Sequence, residues 1–216
     1  MRVPFILAAG AAMFAAVPAQ AEAGDWIVRL RAIVVAPNEK TGTVQPSFAT
    51  SHTSVNDSVA PELDFTYMWT KHVGTELILA TTKHHVSGRD ALAPVGRLAS
   101  TWVLPPTLTL QYHFTPEAHV RPYVGAGLNY TIFYNEKASS ALNAAIGQTK
   151  VHLSDSAGYA LQTGVDIDLS PKIFLNFDAK YIDIDTRARL TTGALINRER
   201  VHLDPFVFGV GLGTRF

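Results

Sequence analysis

VHLDPFVFGVGLGTRF, Val201 to Phe216, ends the chain in strict two-residue alternation. From Phe206 onward, Phe206, Phe208, Val210, Leu212 and Phe216 form one large apolar face that only Thr214 interrupts, and Val207, Gly209, Gly211, Gly213 and Arg215 form the other. A period of two places successive side chains on opposite faces of a β-strand. In a soluble sandwich the apolar face would meet a core, whereas in a membrane barrel it would meet lipid. This strand alone leaves both open.

Seven further segments alternate in the same way. They run over 25–37, 59–69, 73–85, 99–114, the stretch after Arg121 to Tyr134, 156–169, and the stretch after Lys172 to Tyr181. The fourth is broken at Pro105-Pro106, and the phase of the seventh slips over 182–185. Charges keep to one parity in each segment, which suits either architecture. The connections discriminate: short ones at 70–72, 115–121 and 170–172 alternate with long ones at 38–58, 86–98, 135–155 and 188–200. Outer-membrane barrels have short periplasmic turns and long outer loops. On the apolar parity, Trp26, Trp69, Tyr112, Phe114 and Phe216 gather near the short turns, and Trp102, Tyr130, Tyr134, Tyr159, Tyr181 and Phe206 gather near the long loops. These are two interfacial girdles. The expected fold is an all-β, eight-stranded antiparallel transmembrane barrel of the outer membrane over 22–216.

The start of the chain agrees with export. Arg2, the apolar run Val3 to Val17 and the triplet Ala19-Gln20-Ala21 have the layout of a signal peptide, 1–21, cleaved after Ala21. There is no cysteine and the formal charge is +0, which argues against a disulfide scaffold, a thiolate metal site or a nucleic-acid partner.

The segments GDWIVRLRAIVVAPN (Gly24 to Asn38), PELDFTYMWT (Pro61 to Thr70), ELILATTKH (Glu76 to His84), LPPTLTLQYHF (Leu104 to Phe114), RPYVGAGLNYTIFY (Arg121 to Tyr134) and DPFVFGVGLGTRF resemble the OmpW family of small outer-membrane barrels. The departures lie in loops, notably His52 to Ser58 and Ser139 to Thr149. The resemblance implies a monomer that passes small hydrophobic molecules through the outer membrane, with a surface docking site for toxins or phage in some members. A structural or receptor barrel whose outer loops bind a partner is the second reading.

A lipid-modifying enzyme is the third. His152, Ser154, Asp155 and Ser156 near one long loop, and His84-His85 and His202 near others, carry the residue types for it. A nucleophile needs a base in hydrogen-bond reach and a group to orient that base, which sequence does not show. No catalytic role, cofactor or metal is expected. The glycines at 125, 127, 209, 211 and 213 lack dinucleotide-motif spacing and are expected to leave room in a narrow lumen.

Laid out by height, the inward positions divide in two. Arg29, Arg31, Glu76, Gln111, His113, Asp166, Asp168, Asn176, Asp178, Lys180 and Arg215 fall in the periplasmic half and predict a polar plug of paired charges. Ile33, Val35, Ile78, Ala80, Val103, Phe133, Ala160 and Val207 fall in the outer half and predict an apolar funnel, joined by Ile182, Ile184 and Leu203 if the local phase allows. An eight-stranded barrel is too narrow for a wide aqueous pore. A solute entering the funnel would need a side exit into the membrane. Pro105 and Pro106, lacking backbone donors, are the candidate weak point, or else a bulge that only relieves strain. Phe216 is expected to act as the terminal signal read by the outer-membrane assembly machinery.

Overall fold

The computed structural model describes residues 23–216. The signal-peptide assignment, 1–21, lies outside the described residues. In chain order the strands are β1 (Trp26–Ala36), β2 (Lys40–Thr41), β3 (Thr53–Val55), β4 (Ser58–Met68), β5 (Val73–Ala80), β6 (Thr82–Gly88), β7 (Arg97–Leu104), β8 (Thr107–His113), β9 (Val120–Ala138), β10 (Thr149–Leu153), β11 (Ser156–Asp168), β12 (Ile173–Ile182), β13 (Asp185–Thr192), β14 (Leu195–His202) and β15 (Phe206–Arg215). A 3-10 helix, Asp90–Val95, and the helix α1, Ser140–Ile146, lie in the outer connections.

Eight of these strands form a closed antiparallel barrel in the order β1, β4, β5, β8, β9, β11, β12 and β15. The C-terminal strand closes it against β1, from Ile27 opposite Arg215 to Ala36 opposite Phe206. At the seam's end, Trp26 and Phe216 exchange both backbone hydrogen bonds, at 2.8 and 3.0 Å. Closure leaves no unpaired edge in lipid.

The faces are inverted relative to a soluble core. Leu30, Leu128 and Phe208 are exposed on the wall, while Arg29, Arg31, Glu76 and Asp64 inside are at most 1% exposed. The girdles form contact chains: Trp26, Tyr67 and Trp69 at ring separations of 5.2 and 4.8 Å below, and Tyr159, Tyr181 and Phe206 at 5.9 and 5.5 Å above.

The long connections differ from expectation. The stretch 188–200 is polar where it alternates, so it reads as loop. Here it falls in strands, because β10, β13, β14 and β2 form a second sheet that continues the wall outward. The segment 73–85 is split at Thr81 and 99–114 at the prolines, and upper strands β6 and β7 pair with each other there. The phase slip at 182–185 is the break between β12 and β13.

Candidate functional site: a charged floor beneath an apolar chamber

In the lower lumen the buried charges interlock. Arg29 bridges Glu76 at 3.0 Å and Asp166 at 2.9 Å, and Arg31 bridges Glu62 at 2.9 Å and Glu76 at 3.2 Å. Lys180 joins Glu62 at 2.8 Å and Asp178 at 2.5 Å. The side-chain amides of Gln111 and Gln162 donate to the second oxygen of Glu76 at 2.7 and 2.8 Å, and the Tyr123 hydroxyl donates to Asp178 at 2.8 Å. Buried charges of this kind persist only when they have partners. Below them Arg121 pairs with Asp168 at 2.5 Å, and the guanidinium groups of Arg29, Arg121 and Arg215 lie 5.3–5.6 Å from the centre of the Phe174 ring. Cations over an aromatic face are attracted to it. His113 stacks on Tyr123.

All the residues expected in the plug face this floor, with Asp168 at its lower rim. Glu62, Asp64, Arg121, Tyr123, Gln162 and Phe174 join them without having been expected. The inward parity of Glu62 and Asp64 was visible in the sequence, but their height was not. For the two aromatics the signal was glycine. A Cβ on Gly213 would come within 2.2 Å of the Phe174 ring, and one on Gly164 within 2.4 Å of Tyr123.

Above Glu62 the lumen becomes an apolar chamber. Ile33, Val35, Ile78, Ala80, Val103, Phe133 and Val207 line it, with Ile182, Ile184 and Leu203. Ala160, expected in the funnel, is buried within the same apolar cluster but does not line the cavity. Hydroxyls of Thr53, Thr82, Thr101, Thr107 and Thr186, together with His84 and Glu199, add a sparse polar rim that alternation in short upper strands did not reveal.

A second apolar cavity sits over the first. Thr53, Val86, Thr101, Leu153, Ala188 and Glu199 border both and form a waist between them. The outer connections cap this upper cavity through Val44, Leu92, Leu98 and Leu142, each buried to 4% exposure or less. At the waist, burial pushes the Glu199 carboxyl up to about 7.

The proline pair stands between the chamber and the outer surface of the wall. Pro105 faces the chamber, Pro106 an external groove with Leu108, Leu128 and Tyr130, and Thr107 borders both. The two missing backbone donors interrupt the ladder, and side chains bond to the prolines' own carbonyls: the Thr107 hydroxyl donates to the Pro105 carbonyl at 2.9 Å, and Asn129 reaches both. Its amide nitrogen donates to the Pro105 carbonyl at 3.2 Å, the Pro106 carbonyl at 3.3 Å and Thr107 Oγ1 at 2.8 Å. The Tyr130 N–H donates to the Pro106 carbonyl at 3.1 Å.

The groups considered for catalysis are engaged elsewhere. Backbone N–H groups of Arg187 and Asp185 donate to the hydroxyls of Ser154 and Ser156, Asp155 accepts from the Phe133 N–H, and His152 lies 3.6 Å from Glu136. His202 pairs with Asp185. His84 lines the chamber and bonds to Thr82 at 2.9 Å, and His85 lies outside the chamber lining.

Residues 22–216 match the family model described as the OmpW family. The chain belongs to the OmpW family. Outer membrane protein W of Escherichia coli is 37% identical over 196 residues, 90% of each chain. A more distant relative, named dibenzothiophene metabolism operon protein PahQ, of Pseudomonas aeruginosa, is 29% identical and covers 74% of this chain and 73% of its own. The crystal structure of the outer membrane protein OprG from Pseudomonas aeruginosa superposes with a TM-score of 0.86 at 31% identity, covering 92% of this chain and 99% of that one. This OmpW-family chain is therefore an outer-membrane β-barrel. Its exposed apolar belt lies in lipid.

Proposed function

We propose that this OmpW-family barrel admits small hydrophobic molecules from outside, holds them in the apolar chamber and releases them sideways into the membrane beside Pro105 and Pro106. The observation that carries the reading is the juxtaposition of an apolar chamber with a floor of interlocked buried ion pairs. An apolar solute gains by leaving water for the chamber. Passing the floor would require separating buried charges, at several kcal/mol per broken pair. The wall at the prolines is the easier way out, since side-chain bonds from Asn129 and Thr107 and one backbone bond from Tyr130 close it in place of a regular ladder. The name of the relative PahQ, which refers to dibenzothiophene, an apolar heteroaromatic, is in keeping with such a solute.

The test is uptake of a hydrophobic fluorescent probe by vesicles holding the protein. Ile78→Arg or Val103→Arg slows it without preventing assembly, and Pro105→Val with Pro106→Val, which restores the donors, slows it also. Wild-type rates in the chamber variants would remove the transport role, and a wild-type rate in the assembled proline variant would remove the lateral route.

A further inference from the structure

We propose that the outward face of the β10–β13–β14–β2 sheet binds the phosphorylated sugar headgroups of the outer leaflet's glycolipid. This goes beyond passage through the lumen and does not depend on it. Alternation again sets the geometry: Thr186 and Ala188 on β13, and Glu199 and Val201 on β14, line the chamber, so Arg187, Arg189, Arg198 and Arg200 stand on the opposite face. All four are exposed.

The register sets like against like. Arg187 lies directly opposite Arg200, Arg189 opposite Arg198, and His152 opposite Arg189 in the next strand. Directly opposed like charges destabilise a strand pair. The carboxylates around the sheet are engaged by histidines, Asp185 by His202 and Glu136 by His152. Among the described residues none of the four arginines makes an ion pair. Two rows of unneutralised guanidinium forks on a rigid sheet suit a ligand with several phosphates, each able to accept two parallel N–H bonds.

Height selects the lipid as the source. The contact of Tyr181 with Phe206, 5.5 Å between ring centres, marks the outer interface. Arg187 and Arg200 lie six residues further along those strands in sequence. At about 3.3 Å per residue and a tilt of about 40°, that is roughly 15 Å above the girdle, among headgroup sugars and clear of the acyl chains. Asp183, Asp185 and Asp204 occupy the level between and repel phosphates placed lower. The sign of charge thus changes with height, and the surface favours phosphates on the outer sugars.

The experiment measures binding by the full protein, refolded in detergent micelles, of three probes: lipopolysaccharide with a phosphorylated core, the same material stripped of phosphate with hydrofluoric acid, and soluble heparin. Wild type binds the phosphorylated glycolipid most tightly, and added salt weakens the interaction. With about fivefold per arginine near an anionic headgroup layer, replacing all four by threonine weakens it by roughly six hundredfold. Relief of the opposed charges also raises that variant's unfolding temperature in glycolipid-free micelles, while phosphorylated glycolipid stabilises wild type more than the variant. Equal binding of the stripped glycolipid by wild type, or tighter binding of heparin, overturns the proposal, and neither result requires a variant to fold. Unchanged glycolipid affinity in a folded quadruple variant overturns it as well.

Discussion

Thr53 donates a 3.0 Å hydrogen bond from its hydroxyl to Glu199 Oε1, joining two outer strands 146 residues apart in sequence across the waist between the two apolar cavities. Glu199 is only 5% exposed. Its carboxyl is pushed up to about 7 chiefly by burial, while the bond from Thr53 and the nearby His52, itself held by Asp90, oppose the shift.

A raised carboxyl is neutral below its folded value and charged above it. The folded state therefore loses stability in the outer sheet as pH climbs from the ordinary carboxyl range through about 7, and the waist becomes charged over the same interval. In the proposed route an apolar solute crosses this waist. Uptake of a neutral hydrophobic probe is then faster at pH 6 than at pH 8, by up to about tenfold if only the neutral form admits it. Glu199→Gln flattens the profile near the fast limit. A wild-type profile already flat between those values excludes Glu199 from the route.

Asp178 accepts from Lys180, Gln162 and Tyr123 at 2.5, 2.9 and 2.8 Å. Asp178→Ala leaves these buried donors without their acceptor, so it destabilises the barrel by about 3–5 kcal/mol. It also opens space through the floor. Planar-bilayer conductance rises above wild type while probe uptake changes little. A variant as stable as wild type and equally silent would show that the floor is held by other contacts.

At Gly213 a methyl group meets the ring of Phe174, not backbone, so the ring must shift from its place among three guanidinium groups. Gly213→Ala destabilises by about 1–3 kcal/mol, and adding Phe174→Leu recovers part of the loss. At Gly211 the methyl group meets the Leu30 carbonyl at 2.1 Å on the closing seam, where no side chain can yield. Gly211→Ala lowers the yield of compact barrel in unheated detergent gels more than Gly213→Ala does. The opposite order would contradict the packing described here.

The barrel was legible because lipid imposes one rule on every spanning strand: apolar side chains outward. Leu63 and Phe65 against Glu62 and Asp64 displays it without any tertiary information. The floor followed from parity plus height. Above the girdle the rule lapses, since both faces of a strand can be wet, and Arg198 and Arg200 then read as loop although they alternate as regularly as Phe206 and Phe208. The waist and the cap were hidden for another reason. They bring Val44, Leu92 and Leu142 together from three connections, and only the three-dimensional pairing shows that these meet. Asn129 lies within a motif that would mark a glycan acceptor on a loop; the inward register of β9 gives it the task of closing the proline gap.

That task supports the last prediction. The Asn129 amide can donate to the three oxygens at the gap only if it is oriented toward them, and Thr131 Oγ1, donating to Asn129 Oδ1 at 2.6 Å, fixes that orientation. Asn129→Ala removes the amide and its volume together: the Pro105 carbonyl keeps the Thr107 hydroxyl at 2.9 Å and the Pro106 carbonyl keeps the Tyr130 N–H, but the buried Thr131 hydroxyl loses its acceptor. A buried donor left unpaired costs about 1–3 kcal/mol, so the wall here loosens locally while the eight-stranded ladder elsewhere keeps the barrel closed. If the chamber empties through this gap, transfer of a preloaded probe into the surrounding bilayer accelerates and ion conductance stays at the wild-type level, because the charged floor is untouched. Thr131→Val frees the amide to turn and gives a smaller acceleration in the same direction. Unchanged transfer in an assembled Asn129→Ala barrel would mean that the amide only completes the wall, and that the chamber empties elsewhere.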